Sequence, residues 1–476
     1  MKNTAKDKDL IQFEEWLNSF LNFEKLPQKN MFWLDTMQHY CSLLDNVQDF
    51  CPSVHVAGSK GKGSVCAMIS SILEEAGYKT GLYTSPHIIT FLERISRNQK
   101  LLSKKVYKKS AAQLKECVEN ELNSTTEKDR RPITWFELVT LYAFLCFKNA
   151  KMDYAVYETG LGGRLDATNI VNPKVCCIGP IELEHTEFLG DTVEKIAAEK
   201  AGIIKPGTPV FVQAQEKDSV RKVFIDRAKE LNAPIYFVDE VCDCSIKYTS
   251  SHSFKQNSFM EIQIKSDFFR RPIKTKLRFT GDVQVNNAAL AALAVKSMLP
   301  DIDEKIIEKG LARASLPGRF ELSKPPRKFK KCLSIIYDGA HTFNSISLTM
   351  QTVHELFADK KIVLLFACAR DKDVDSIVPL FKNRFEKAFI TIPGLVKQSD
   401  LQKVEQAFIN NGIEFSADSD FKAQIVNALT FASQTKSILL ITGSFYLVSE
   451  AKKAIRPHTP SIKTRGTLFE TPQVIS

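Results

Sequence analysis

The chain has 476 residues, too many for one ordinary core, so two or three domains are expected. Hydrophobic content of 44% and charged content of 25% are those of a soluble globular protein, and no apolar run reaches bilayer length. The net charge of +10 is spread out, with only short pairs such as Arg130-Arg131 and Lys330-Lys331; this suits anionic small molecules and supplies no basic block interleaved with aromatics for nucleic acid.

The 11 cysteines are odd in number and contain no CxxC pair, which predicts free thiols in a reducing compartment. Residues 1–9 are charged, lack the apolar core of a signal peptide and carry acids that a transit peptide avoids. A cytoplasmic protein without membrane or nucleic-acid partners is expected.

In chain order, 10–23 predicts an amphipathic helix with Phe13, Trp16, Leu17, Phe20 and Leu21 on one face, and 34–44 a second helix. Ser53 to Ala57 is β-prone and runs into Gly58-Ser59-Lys60-Gly61-Lys62-Gly63-Ser64, after which 65–73 has helical spacing. Strand, glycine loop, lysine, hydroxyl and helix form the layout of a phosphate cradle, in which backbone N–H groups, the helix start, Lys62 and Ser64 face an anion. The loop is one residue shorter than a Walker A loop, and a glycine separates its lysine from its serine, so a glycine-rich strand–helix turn is the competing explanation.

A strand at 79–83 leads to Thr84-Ser85-Pro86-His87; 123–131 reads as an exposed loop and 134–147 as an apolar helix. Strand 153–158 ends in Glu158 before a glycine loop, and strand 175–178, helix 192–201 and strand 208–212 follow. This alternation predicts a mostly parallel sheet with helices on both faces. From 235 to 279 short alternating segments predict a small antiparallel sheet beside it, then helices at 287–298 and up to about Ala314, and a hinge at Leu316-Pro317-Gly318-Arg319. Strands at 334–337, 362–366, 388–392 and 437–441, alternating with helices, predict a smaller Rossmann-like domain. The division expected is 1–316 and 317–476, with an extended tail after Arg456.

Open α/β sheets place their sites at strand ends, where several residues here could do chemistry. Ser85 is a turn residue or a ligand. Glu158 ends an apolar strand and needs a cation if buried. His185, after two acids, is structural or a ligand; a hydroxyl, a carboxylate and an imidazole together can hold a divalent ion. Lys200 reads as a solvated helix residue or a partner of Glu199. Asp338 is a ribose ligand or a capping aspartate, and Arg319 clamps a phosphate or pairs with Glu321.

Taken in order, the glycine loop, Thr84-Ser85-Pro86-His87, Glu158-Thr159-Gly160-Leu161-Gly162-Gly163-Arg164-Leu165-Asp166-Ala167-Thr168-Asn169, Glu184-His185-Thr186, Glu199-Lys200-Ala201-Gly202, Pro317-Gly318-Arg319 and Asp338-Gly339-Ala340-His341 resemble folylpolyglutamate synthase and dihydrofolate synthase, within the muramyl-peptide-ligase superfamily. The resemblance covers nearly the whole chain. It implies an N-terminal P-loop ATPase-like domain and an ATP-dependent ligase that joins L-glutamate to a folate or dihydropteroate carboxylate through an acyl phosphate. Another amide ligase of the superfamily, or an inactive ATP-binding protein of this fold, is the alternative. The resemblance also implies Mg²⁺ on Ser85, Glu158 and His185, a second Mg²⁺ positioned by carbamylated Lys200, and K⁺ as an optional further cation. ATP would lie on Gly58, Ser59, Lys60, Gly61, Lys62, Gly63, Ser64, Asn287, Arg319 and Asp338. His341 and Ser444 would lie where glutamate enters, and the protein would act as a monomer. The chain departs from the family pattern at Ser59 and Lys60, usually threonine and asparagine, at Glu184, usually aspartate, and at Thr342-Phe343, usually asparagine–proline.

Overall fold

Short β-branched and aromatic runs pair into three sheets in the computed structural model, which describes residues 7–22, 34–125, 132–248, 260–395 and 397–455. The first sheet contains β1 (Ser53–Ala57), β2 (Thr80–Tyr83), β3 (Ile95–Arg97), β4 (Lys100–Leu101), β5 (Tyr154–Glu158), β6 (Val175–Ile178), β7 (Val210–Val212) and β8 (Ile235–Phe237). Its order is β4-β3-β2-β5-β1-β6-β7-β8, parallel except for the β3–β4 hairpin edge. β9 (Asp243–Tyr248), β10 (Met260–Lys265) and β11 (Ile273–Leu277) form the expected small antiparallel sheet. The third sheet contains β12 (Glu321–Ser323), β13 (Ser334–Tyr337), β14 (Ile362–Phe366), β15 (Lys387–Ile390), β16 (Phe415–Ala417) and β17 (Ile438–Thr442). It runs β12-β13-β17-β14-β15-β16 and is parallel except for β12.

The central strands read as unbroken apolar runs because both sheet faces are covered. Val54, Val56 and Val156 enter a core with the helices Lys62–Glu75 and Val283–Met298. Tyr83, Ala155 and Tyr157 face the other way, into the helices Lys8–Asn18, Lys104–Ser124 and Trp135–Asn149. In the third sheet Ile336 and Leu364 point to one core, and Ile335 and Val363 to the other.

The two halves meet around the predicted hinge. Leu316 packs on the first core, whereas Ile88 is buried in a core of the second half. A side chain on Gly281 would press on Leu348 of the helix Phe343–Phe357, at 2.9 Å.

Four expectations are corrected. The first helix ends at Asn18 rather than 23. Asn123 belongs to the 21-residue helix Lys104–Ser124, whose lysine-rich face disguised its apolar stripe of Tyr107, Ala111, Leu114 and Val118; the rest of that expected loop from 126 lies outside the described residues. Helix 192–201 begins one residue later, at Val193, with Thr192 as its side-chain cap. Helix Asp218–Glu230 and strand β16, absent from the sequence reading, complete the alternation. The tail after Arg456 also lies outside the described residues.

Candidate functional site

β1 ends at Ala57, and the loop that follows turns on two glycines in the left-handed region, Gly58 at φ +145° and Gly61 at +79°. Neither position has room for a side chain: a Cβ on Gly58 would sit 2.9 Å from the Gly179 backbone, and one on Gly61 would sit 2.7 Å from Asn287 Oδ1. Glycine there removes both the clash and the φ penalty. Asn287 is buried and held by Gln213 and Gln284, so it braces the loop from beneath. Two ammonium groups converge on one carbonyl: Lys62 Nζ donates to Gly58 O at 2.7 Å, and Lys200 Nζ at 3.0 Å.

Glu158, at the end of β5, is buried beside this turn and accepts the Ser85 amide at 3.0 Å. Burial pushes its carboxyl pKa up, against the opposing pull of Lys62, the Ser85 amide, Arg319 and Arg94. Ser85, half-buried after β2, is thereby fixed to Glu158. His185 has φ +45° and opens the short helix Thr186–Leu189. Its side chain is open to solvent, yet the surrounding protein desolvates the ring enough to lower its pKa; Glu184 opposes this, and Lys62, Lys200 and Lys372 add to it. Glu158 and His185 therefore both lie in the field of Lys62.

Lys200 is neither solvated nor paired with Glu199. It is 1% exposed and salt-bridged to Glu184 at 2.8 Å, while Glu199 is taken by Arg164. Burial, reinforced by Lys62, lowers its pKa to about 8. The departures Ser59 and Lys60 act together: the Ser59 hydroxyl bridges the Glu182 backbone, accepting its N–H at 3.1 Å and donating to its carbonyl at 3.2 Å, and the Lys60 ammonium pairs with the Glu182 carboxylate. The glycine loop is thus stapled to the segment that carries Glu184 and His185.

In the second half Asp338 directly follows β13 and is buried, with the Ala340 amide and the Thr349 hydroxyl on its oxygens. Burial raises its pKa. Arg319 does not pair with Glu321, which instead accepts the Gly318 amide and pairs with Lys452. Its guanidinium lies 4.4 Å over the Phe445 ring, in the fields of Asp338 and Glu158, on a side chain exposed to solvent. His341 Nδ1 is 2.8 Å from the Gly339 carbonyl; a carbonyl only accepts, so Nδ1 carries the proton and Nε2 is the free nitrogen. Desolvation lowers its pKa. Ser444 is buried and caps the last helix through the Tyr446 amide.

The sequence reading missed a polar chain behind the second glycine loop. His55, fully buried in β1, donates from Nε2 to the Thr168 hydroxyl, which donates to Asp166. Asp166 accepts the Gly160 and Leu161 amides and so fixes that loop. The available signal was a histidine in the middle of an otherwise apolar strand. Among the described residues no three His, Cys, Asp or Glu side chains cluster as a metal site, no helix is long and apolar enough to cross a membrane, and the cysteines are free.

Comparison with known proteins identifies the family. The Mur ligase middle domain matches residues 56–295, and the Mur ligase glutamate ligase domain matches 318–445. The dihydrofolate synthase/folylpolyglutamate synthase of Bacillus subtilis (strain 168) is 30% identical over 455 residues, covering 93% of this chain and 98% of its own. Mycobacterium tuberculosis folylpolyglutamate synthase complexed with ADP superposes with a TM-score of 0.80 at 25% identity, covering 94% of this chain and 98% of its own. Escherichia coli FolC in complex with DHPP and ADP gives 0.75 at 25% identity, covering 93% and 97%. With its two ligase domains in order and a relative of this identity over its full length, the chain belongs to the folylpolyglutamate synthase/dihydrofolate synthase family of Mur-type ligases.

Proposed function

We propose that this ligase couples ATP hydrolysis to amide formation between L-glutamate and the carboxylate of a folate or dihydropteroate, with 1–316 and 317–476 as its two working lobes. The observation that carries this reading is that Lys62 and Lys200 meet on the Gly58 carbonyl while the buried Glu158 lies in the fields of both Lys62 and Arg319 of the second half. The turn from Gly58 to Ser64 receives the phosphates, and Asn287, by bracing Gly61, keeps the cradle open. Lys62 leaves the Gly58 carbonyl for the outer phosphates, and Arg319 and Asp338 close on the nucleotide from the second half.

Mg²⁺ suits the residues present. Glu158 is a buried carboxylate supported by cations and one amide; Ser85, bonded to it through that amide, and His185, which shares the field of Lys62 with it, would supply further oxygen and nitrogen donors. Such an ion, when bound, neutralises phosphate charge and orients the γ-phosphoryl group. Lys200, with its pKa near 8, offers a neutral amine fraction to CO₂. Its present partners, Glu184 and the Gly58 carbonyl, are both acceptors, so a carbamate there requires a cation between the oxygens. Mass spectrometry and ¹³C-bicarbonate NMR test that modification. K⁺, a monomeric state and a cytoplasmic location belong to the same proposal.

In the reaction a substrate carboxylate oxygen attacks the γ-phosphorus in line, the bond to the β,γ-bridging oxygen breaks, and acyl phosphate and ADP form. Catalysis is mostly positioning and charge neutralisation. The glutamate amine then attacks the acyl carbon, and phosphate leaves with the bonding electrons. His341, held neutral by burial and with Nε2 free, takes the proton that the amine releases. Closing the second half onto the first would keep water from the acyl phosphate.

Phosphate release with ATP and glutamate, comparing dihydropteroate with tetrahydrofolate, tests the reading and assigns the acceptor. Lys62→Ala and His185→Ala are expected to abolish glutamate-dependent ADP release; near-normal turnover in either overturns the assigned roles.

A further inference from the structure

The last helix, Phe445–Ile455, begins with an aromatic ring flanked by two residues of the proposed site. Arg319 lies over its face at 4.4 Å. His341 meets it at a ring separation of 6.1 Å and an angle of 64°, an edge-on contact. The backbone clamps the same ring. A Cβ on Gly339 would sit 2.3 Å from Phe445 Cε1, and one on Gly318 3.5 Å from it. Gly318, itself left-handed at φ +69°, accepts the Gly339 amide at 2.9 Å, so hinge and strand end are tied across the ring. Glycine at both positions lets the ring sit against bare backbone.

We propose that Phe445 is a positioning residue that holds Arg319 and His341 as one rigid unit, fixing the spacing between the nucleotide end and the amino-acid end of the site. This deepens the functional reading above and rests on it for the identity of the two ligands. An arginine side chain carries large rotamer freedom that must be lost when it grips a phosphate. Seating the planar guanidinium on a ring beforehand removes much of that loss, because the negative π-face attracts the cation without neutralising it. Asp338 and Glu158 act on the guanidinium at longer range than an ion pair, so they attract it without fixing its plane. The ring does the aiming, and its edge sets the tilt of His341.

Replacing Phe445 by 4-fluoro-, 3,5-difluoro- and pentafluorophenylalanine weakens the π-face stepwise while nearly keeping the shape. The expected result is a graded rise in KM for ATP, about fivefold in total for a contact of this kind, with kcat changing less and Phe445→Tyr behaving as wild type. The midpoint of urea unfolding should fall along the series in the Arg319 protein and stay level in an Arg319→Met background. A flat KM series, or equal stability slopes in the two backgrounds, overturns the proposal and leaves the ring as plain packing. Should the unsubstituted protein show no ATP-dependent ligation, the functional reading falls while the two stability slopes still decide the Phe445–Arg319 link.

Discussion

Glu158 and Asp338 occupy equivalent places, each at the carboxyl end of a parallel strand in its own sheet, each buried, each with its pKa raised by desolvation. They are satisfied differently. Asp338 has the Ala340 amide on one oxygen and the Thr349 hydroxyl on the other, with the Arg319 charge and the Phe320 amide added, all from its own half. Glu158 has one amide, and its remaining support comes from Lys62, Arg319 and Arg94, charges carried on separate elements. A buried acid that its own loop completes is structural first, whereas one left to distant cations is a place where a further cation gains most.

That contrast can be broken by swapping charge for amide. Glu158→Gln is expected to lower kcat by about 10³-fold, the scale seen when a transition-state charge partner is lost, with melting temperature unchanged or higher because a buried charge is gone. Asp338→Asn is expected to be mild on both counts. Its Oδ1 keeps the Ala340 N–H and its NH2 donates to the Thr349 hydroxyl, whose own hydrogen turns to the Ser345 carbonyl, so stability in chemical denaturation should change by less than about 1 kcal/mol, with a smaller loss of kcat. If the two variants show the same profile, the distinction between the halves is wrong.

The polar chain behind the second glycine loop sharpens the comparison through pH. His55 has its pKa pushed down to about 3 by burial and by Lys205. The unfolded chain therefore binds a proton there that the folded one refuses, so its stability is complete above the ordinary histidine pKa and is lost as pH falls below it. Wild type should lose about 1.4 kcal/mol per pH unit more than His55→Gln between pH 6 and 4, read from urea midpoints. The raised carboxylates Glu158 and Asp338 act in the opposite sense, but are shared by both proteins and cancel in the difference.

The smallest effect concerns the staple on the glycine loop. Lys60 and Glu182 are each over a third exposed, so their pair is worth no more than about 1 kcal/mol. Lys60→Glu should raise the ATP KM by less than about fivefold, and Lys60→Glu with Glu182→Lys should restore it. No restoration in the double variant would place Lys60 on the phosphates instead.

Much of this site was legible because its parts are local. Gly58, Gly61 and Lys62 are neighbours in sequence, and a turn with positive φ leaves few residues to choose from. The strands β6, β13 and β14 fell where their apolar runs placed them, since burial on both faces removes the ambiguity of alternation. The long helix Lys104–Ser124 was hidden because its apolar stripe is thin among lysines and glutamates, and its existence depends on the tyrosines and leucines it meets in the first core.

By itself the sequence determined most of the strands and the helices between them, the glycine turn and the acids at strand ends, because each follows from neighbours a few residues apart. Only the tertiary structure decided who meets whom: Lys200 with Glu184 rather than Glu199, Lys60 with Glu182, Arg319 with Phe445 rather than Glu321. Those choices turn on groups 16, 122 and 126 positions apart in the chain, and no short-range propensity reaches across such gaps. The packing of two sheets against one hinge brings these groups together and sets which charge is buried beside which.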